Sequence, residues 1–214
     1  MFTRLPDIHE GESNNHGEKG RFFDLFKFRH FKFALLAQFL YVAAQTGINS
    51  FFINYVTETK SEIPNEKPAY LLSLGFIFFM SGRFLSSLFM KWFNPHRMLA
   101  LYATINVVAM VIVIVGLGWA SIIAIYVCYF CMSIMFPTIF ALGINNLGKL
   151  TKKGSSLLVM MVAGGAICPA FMGWIADISS MAIGFLVPMI SFAFIMFFGL
   201  NGYRFMQPVI AKVK

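Results

Sequence analysis

Polar and apolar positions alternate along this chain in long blocks. Six apolar blocks, at about 33–56, 69–90, 98–117, 122–147, 155–175 and 181–200, are each long enough to be read as a helix that crosses a bilayer, which takes roughly 20 mostly apolar residues. Between them stand short breaker segments, "TETKSEIPNEKP", "NPHR", "GLGWAS", "GKLTKKG" and "ADISS", rich in the residues that end helices and start turns. Such short joints make consecutive helices antiparallel neighbours. The pattern predicts an all-α integral membrane fold, with a six-helix bundle over 33–205. It is preceded by a polar, flexible cytoplasmic segment (1–32), which lacks the apolar core of a signal peptide, and followed by a short cytoplasmic tail (206–214).

Composition agrees with the pattern. The chain is 58% hydrophobic and 12% charged, where a soluble domain is nearer one quarter charged. The formal net charge of +8 could suggest a nucleic-acid partner, but the cations alternate with the loops. One set of connections holds Lys19, Arg21, Lys27, Arg29, Lys32, Lys91, Arg97, Lys149, Lys152, Lys153, Arg204, Lys212 and Lys214. The opposite set holds only Lys60 and Lys67, beside Glu58, Glu62 and Glu66. Basic residues collect on the cytoplasmic side of membrane proteins, so both termini are expected to be cytoplasmic, and no nucleic-acid face is implied.

Inside the spans charge is scarce. Arg83 lies about 21 Å along its helix from Ala69, within snorkelling reach of the cytoplasmic interface, and Asp177 falls at the outer end of the fifth span. Cys128 and Cys131 have CxxC spacing, but no second pair or nearby histidine completes a zinc site, and with Cys168 they read as small buried thiols. The four histidines lie outside the apolar runs and form no metal-ligand pair. No metal, cofactor or catalytic residue is expected, and an enzyme is excluded because the spans hold no paired acid, Ser–His pair or metal motif.

The first span, "AQFLYVAAQTGINSFFINY", is the one that invites a functional reading. Gln38, Gln45 and Asn49 fall within about 40° of one another on the helix surface, Tyr41 and Phe52 extend the same stripe, and Asn54 lies off it. Two readings stand side by side. The amides could hydrogen-bond a neighbouring helix, at about 0.6 kcal/mol each. Alternatively they line a water-filled cavity and offer both donor and acceptor to a hydroxyl-rich solute, with Tyr41 stacking on an apolar sugar face. In the fourth and fifth spans Pro137, Pro169 and several glycines point to kinked, closely packed helices. Ser155 or Ser156, after Gly154, is expected to cap the start of the fifth helix.

Taken together, "AQFLYVAAQTGINSFFINYV", "SGRFLSSLFMKWFNPHRML", "FPTIFALGINNLGKLTKKGSSLLVM" and "GGAICPAFMGWIAD" resemble the carboxy-terminal half of the L-fucose:proton symporter family, the fucose and glucose/galactose permeases of the major facilitator superfamily. The resemblance runs from about Phe33 through the sixth span, and "LPDIHE" is similar to the loop that joins the two halves. It implies that the six spans correspond to helices seven to twelve of a twelve-helix transporter in a bacterial inner membrane. The substrate of such a fold sits between the halves near the midplane. The implied cargo is a sugar (L-fucose, galactose or glucose) in symport with H⁺, or with Na⁺. Gln38, Tyr41, Gln45 and Asn49 would face the cavity, with Phe136 and Asn145 as secondary candidates. Phe136 stands where some relatives are expected to have tyrosine, so one sugar hydrogen bond is in doubt. Arg83, Lys91 and Arg97 would gate or brace the cytoplasmic end.

One departure from the family is large. Its protonatable carboxylates lie in the amino-terminal half, and no Asp or Glu stands at mid-membrane here. A truncated or split gene product, a half that pairs with a separately encoded partner, and a homodimer of halves remain open. The rival reading is a six-span fragment that transports nothing alone and uses its amides as interhelical glue.

Overall fold

The computed structural model describes residues 22–60, 67–89 and 94–202. Nine α-helices lie within them: α1 (Arg29–Thr59), α2 (Lys67–Phe89), α3 (Pro95–Val115), α4 (Trp119–Met132), α5 (Met135–Ile144), α6 (Thr151–Met160), α7 (Gly164–Ile178), α8 (Met181–Gly184) and α9 (Leu186–Leu200). Short 3-10 turns occupy Phe22–Lys27, Gly148–Leu150 and Met161–Ala163. These elements make six spans of membrane length and apolarity: α1, α2 and α3 singly, then α4 with α5, α6 with α7, and α8 with α9. The six-span, all-helical class read from the sequence is the observed one, and no strand occurs among the described residues. Most of the expected inter-half loop and all of the expected tail lie outside the described residues, as does Lys91.

The last three spans are broken, and prolines account for two of the places. A proline lacks the N–H that would bond the carbonyl four residues earlier, and its ring crowds that carbonyl. Pro137 therefore withholds a donor from Ser133, where α4 gives way to α5 through Ile134 (φ −107°, ψ −7°). Pro188 withholds one from Gly184, the last residue of α8. Pro169 lies inside α7, and the Gly165 carbonyl that it leaves without a helical donor falls beyond the 3-10 turn at Met161–Ala163 that separates α6 from α7, so that break has another origin. Pro188 carries the same signal as Pro137, although the sequence reading passed over it.

One expectation is corrected. The fifth span starts not at Ser155 or Ser156 but at Thr151, preceded by the 3-10 turn. Ser156 Oγ donates to Lys152 O at 3.1 Å, a back-bond made from inside a helix. The helix begins early because the Gly148 turn (φ 53°) has already reversed the chain, and Lys152 and Lys153 are good helix formers at a wet end.

α1 stands at the centre of the bundle and packs against α2, α5, α7 and α9, while α3 packs against α4 and α9, and α2 against α4. In lipid no hydrophobic drive separates helix from solvent, so close backbone approach carries the association. The α3–α9 contact is the clearest case: a Cβ at Gly199 would stand 2.8 Å from Ala100 N and 3.0 Å from its Cα. Large apolar side chains such as Phe84 and Phe76 on α2 and Trp174 on α7 are exposed, as suits a chain surrounded by acyl chains.

Gly199→Leu is expected to part α3 from α9 and to destabilise the bundle by about 1–3 kcal/mol, the usual cost of overpacking. A lowered midpoint of thermal unfolding in detergent would report it, whereas an unchanged midpoint would mean that the two backbones are not held together there.

Candidate functional site

The amide stripe lies along α1, and its aromatic members Tyr41 and Phe52 meet α4 and α5. Gln38 is fully buried, and neither its Nε2 nor its Oε1 has a hydrogen-bond partner among the described residues. Asn49, eleven residues on, is half-buried, and its Oδ1 is enclosed without a donor. Gln45 lies between them and is also half-buried. The three amides thus share one face, and two of them hold unmet capacity, Gln38 to donate and accept and Asn49 to accept.

Tyr41 shares the stripe but not the vacancy. Its ring is 1% exposed, and its hydroxyl donates to Met132 O at 2.9 Å, at the end of α4 where the break begins. Phe136 meets the Tyr41 ring edge-on, with centroids 6.1 Å apart, so these two candidates are brought together as a wall beside the amides. Asn145 is not brought to this wall. It caps α5, is exposed, and accepts from His30 Nε2 at 3.0 Å through its backbone oxygen. His30 precedes Gln38 by eight residues, about 12 Å along α1.

Of the cationic candidates, Arg83 stands within electrostatic reach of Tyr41, and Arg97 lies in the first turn of α3. Arg83 on α2 is exposed, with its guanidinium 5.9 Å from the centroid of the Phe79 ring, a cation–π distance. Arg97 is exposed in the first turn of α3, where its backbone N–H bonds Asn94 O at 3.0 Å.

Two polar residues that the sequence reading missed also carry unmet atoms. Tyr129 on α4 is 1% exposed, its hydroxyl has no partner among the described residues, and its ring is packed edge-on to Phe52 at 6.2 Å. Asn106 on α3 is fully buried with its Oδ1 unpartnered. Asn106 could have been found, since it is a lone amide in the middle of an apolar run. A tyrosine in an aromatic-rich span gives no such signal.

No protein-family model matches the chain. It is 38% identical over 208 residues to the L-fucose-proton symporter of Escherichia coli (strain K12), covering 92% of this chain and 46% of that protein. It is 32% identical over 208 residues to a putative glucose/galactose transporter of Helicobacter pylori (strain ATCC 700392 / 26695), covering 95% and 50%. Among solved structures, the E. coli fucose:proton symporter FucP superposes with a TM-score of 0.80 at 38% identity, covering 82% of this chain and 43% of that one. FucP in the outward conformation, described as a major facilitator superfamily transporter, gives a TM-score of 0.78 at 39% identity, covering 80% and 42%. The chain belongs to the major facilitator superfamily. It is a multi-pass membrane protein of a superfamily of transporters rather than enzymes, and it spans about half the length of the curated relatives it matches.

Within this superfamily member, the Tyr41 bond predicts a measurable contribution. Tyr41→Phe leaves the Met132 carbonyl unanswered at the break, and is expected to lower stability by about 1 kcal/mol. Equilibrium unfolding in mixed micelles would measure it. An unaltered unfolding curve would mean that the hydroxyl serves no structural bond.

Proposed function

We propose that the chain supplies the carboxy-terminal six-helix half of a sugar transporter of the fucose and glucose/galactose permease type. The cargo is L-fucose or a related hexose (galactose or glucose), carried in symport with H⁺, with Na⁺ as the alternative ion. Transport proceeds by alternating access, this bundle rocking against a second six-helix half around a site near the midplane. The protein sits in a bacterial inner membrane with both termini cytoplasmic. The second half brings the coupling carboxylate.

The observation that carries this reading is the set of unpartnered amide atoms on α1, Gln38 Nε2 and Oε1 and Asn49 Oδ1, with Gln45 half-buried between them. Neutral amides with free donors and acceptors suit an uncharged, hydroxyl-rich solute. Tyr41 and Phe136 supply an aromatic wall against which a sugar's apolar face can rest, Arg83, Lys91 and Arg97 belong to the expected cytoplasmic end, and Asn145, expected in the cavity, is left out of the site by its place beside His30. The names of the relatives, a fucose-proton symporter and glucose/galactose transporters, point to the same cargo. The rival, a fragment without transport of its own, draws support from Tyr41, whose hydroxyl is committed to a neighbouring helix.

Uptake of radiolabelled L-fucose, with galactose and glucose as competitors, separates the two. The host is a transporter-deleted bacterium expressing the chain alone or with the amino-terminal half of the E. coli symporter. Uptake is expected only with the second half present. Gln45→Ala is expected to weaken sugar affinity about twofold to tenfold, the worth of one neutral hydrogen bond, with membrane insertion unchanged. Absence of uptake in both strains despite confirmed insertion, or loss of insertion in Gln45→Ala, would favour the fragment.

A further inference from the structure

A second feature of the bundle lies away from the amides. Between α3 and α4 runs a groove of about 350 Å³, within the size range of small-ligand sites. Ala109 and Ala124 are buried in its lining, while Val108 and Ile123 stand exposed along it. Thr104 is the polar member of the lining, and its hydroxyl is bonded to Ala100 O at 2.8 Å. The α3 side of the groove, from Thr104 to Ile112, is about 12 Å long, and both helices belong to membrane spans.

At the end of the groove nearer the α3–α4 turn the chemistry changes. The Lys60 side chain lies across Gly118: a Cβ there would stand 3.1 Å from Lys60 Cε and 3.4 Å from its Nζ. Trp119 follows at once and is 52% exposed. Among the described residues no carboxylate pairs with Lys60, and the nearby Glu58 accepts from the Met181 N–H at 3.3 Å. An ammonium and an exposed indole therefore stand at the mouth of an apolar slot, the arrangement that suits a headgroup above and a hydrocarbon tail below.

We propose that this groove is a phospholipid site. One acyl chain lies between α3 and α4 over Ala109 and Ala124, and the lipid phosphate meets Lys60 beside Trp119. The charge complementarity of ammonium and phosphate distinguishes this lipid from the unselected shell around the bundle. Gly118 is part of the site because its bare backbone lets the lysine stem lie flat over the turn.

Trp119 is the reporter. With Trp92→Phe and Trp174→Phe it becomes the chain's one tryptophan, and its emission is followed in maltoside micelles, which contain no phosphate. Two quenchers are titrated in, phosphatidylglycerol brominated near its ester end and the equally brominated diacylglycerol. At equal mole fraction the phospholipid is expected to quench about fivefold more effectively, the preference one interfacial lysine confers. Lys60→Gln should bring the two quenchers to the same level, and Ala120→Phe, at an exposed position in the lining, should remove the excess by filling the slot. Equal quenching by both lipids in the parent chain overturns the proposal, as does an excess that survives both substitutions. Protection of Trp119 from either lipid, together with a dimer in micelles, would mean that a second copy covers the groove.

Discussion

Inside a bilayer every backbone donor and acceptor has to find its partner within the protein, and this bundle is organised around the places where a proline denies one. The fourth and sixth spans break at the residue four before a proline, at Ser133 and Gly184. Around the first break side-chain hydroxyls answer the disturbed backbone: Tyr41 bonds Met132 O, Ser133 bonds Phe130 O at 2.7 Å, and Thr138 bonds Ile134 O at 2.7 Å. Of these, the Tyr41 bond is the one that ties the break to another helix. The break also leaves the aromatic ring of Phe136 at the height of Tyr41, so the wall beside the amides follows from the missing N–H of Pro137.

The same economy of hydrogen bonds turns α1 into a post. At one end His30 reaches Asn145 O, in the middle Tyr41 reaches Met132 O, and at the other end Tyr55 donates to Val113 O at 2.7 Å while Glu58 accepts from Met181 N. Each bond joins α1 to a different stretch of the later chain. The helix that carries the amides is therefore fixed against its neighbours along its whole length. That is the property needed if a half moves as one body while its site keeps its geometry.

Much of this was legible in the sequence, for reasons of unequal strength. Six spans follow from run length alone, since a bilayer imposes a minimum that few soluble helices meet. The facing of Gln38, Gln45 and Asn49 follows from helical periodicity. What periodicity cannot give is the partner of each group. Nothing in "LYVAAQ" says that the Tyr41 hydroxyl goes to a carbonyl 91 residues away, or that Asn145 stands level with His30 rather than with Gln45. The start of the fifth span was misread because a Gly-Ser-Ser segment looks like a cap, while the 3-10 turn that begins the helix left no such signature. Pro137 and Pro188 each mark a break four residues upstream, whereas Pro169 stands inside an unbroken α7, so a proline in a span is not by itself a sign of where the span breaks.

The contrast between Tyr41 and its amide neighbours bears on what the stripe is for. An interhelical side-chain bond in a membrane is worth about 0.6 kcal/mol on average, whereas a buried polar group left unpaired costs about 1–3 kcal/mol. A stripe selected as glue would be expected to close its bonds, as Tyr41 does. Among the described residues Gln38 closes neither end of its amide, and Asn49 leaves its carbonyl oxygen enclosed and unanswered. Their cost is of the same order as the gain from several such interhelical bonds, so they are a poor way to hold helices together. Groups that are expensive when alone become favourable once a hydroxyl or a water bridges them. The stripe is thus better suited to meeting an incoming polar molecule than to tying α1 to helices that four other side chains already hold.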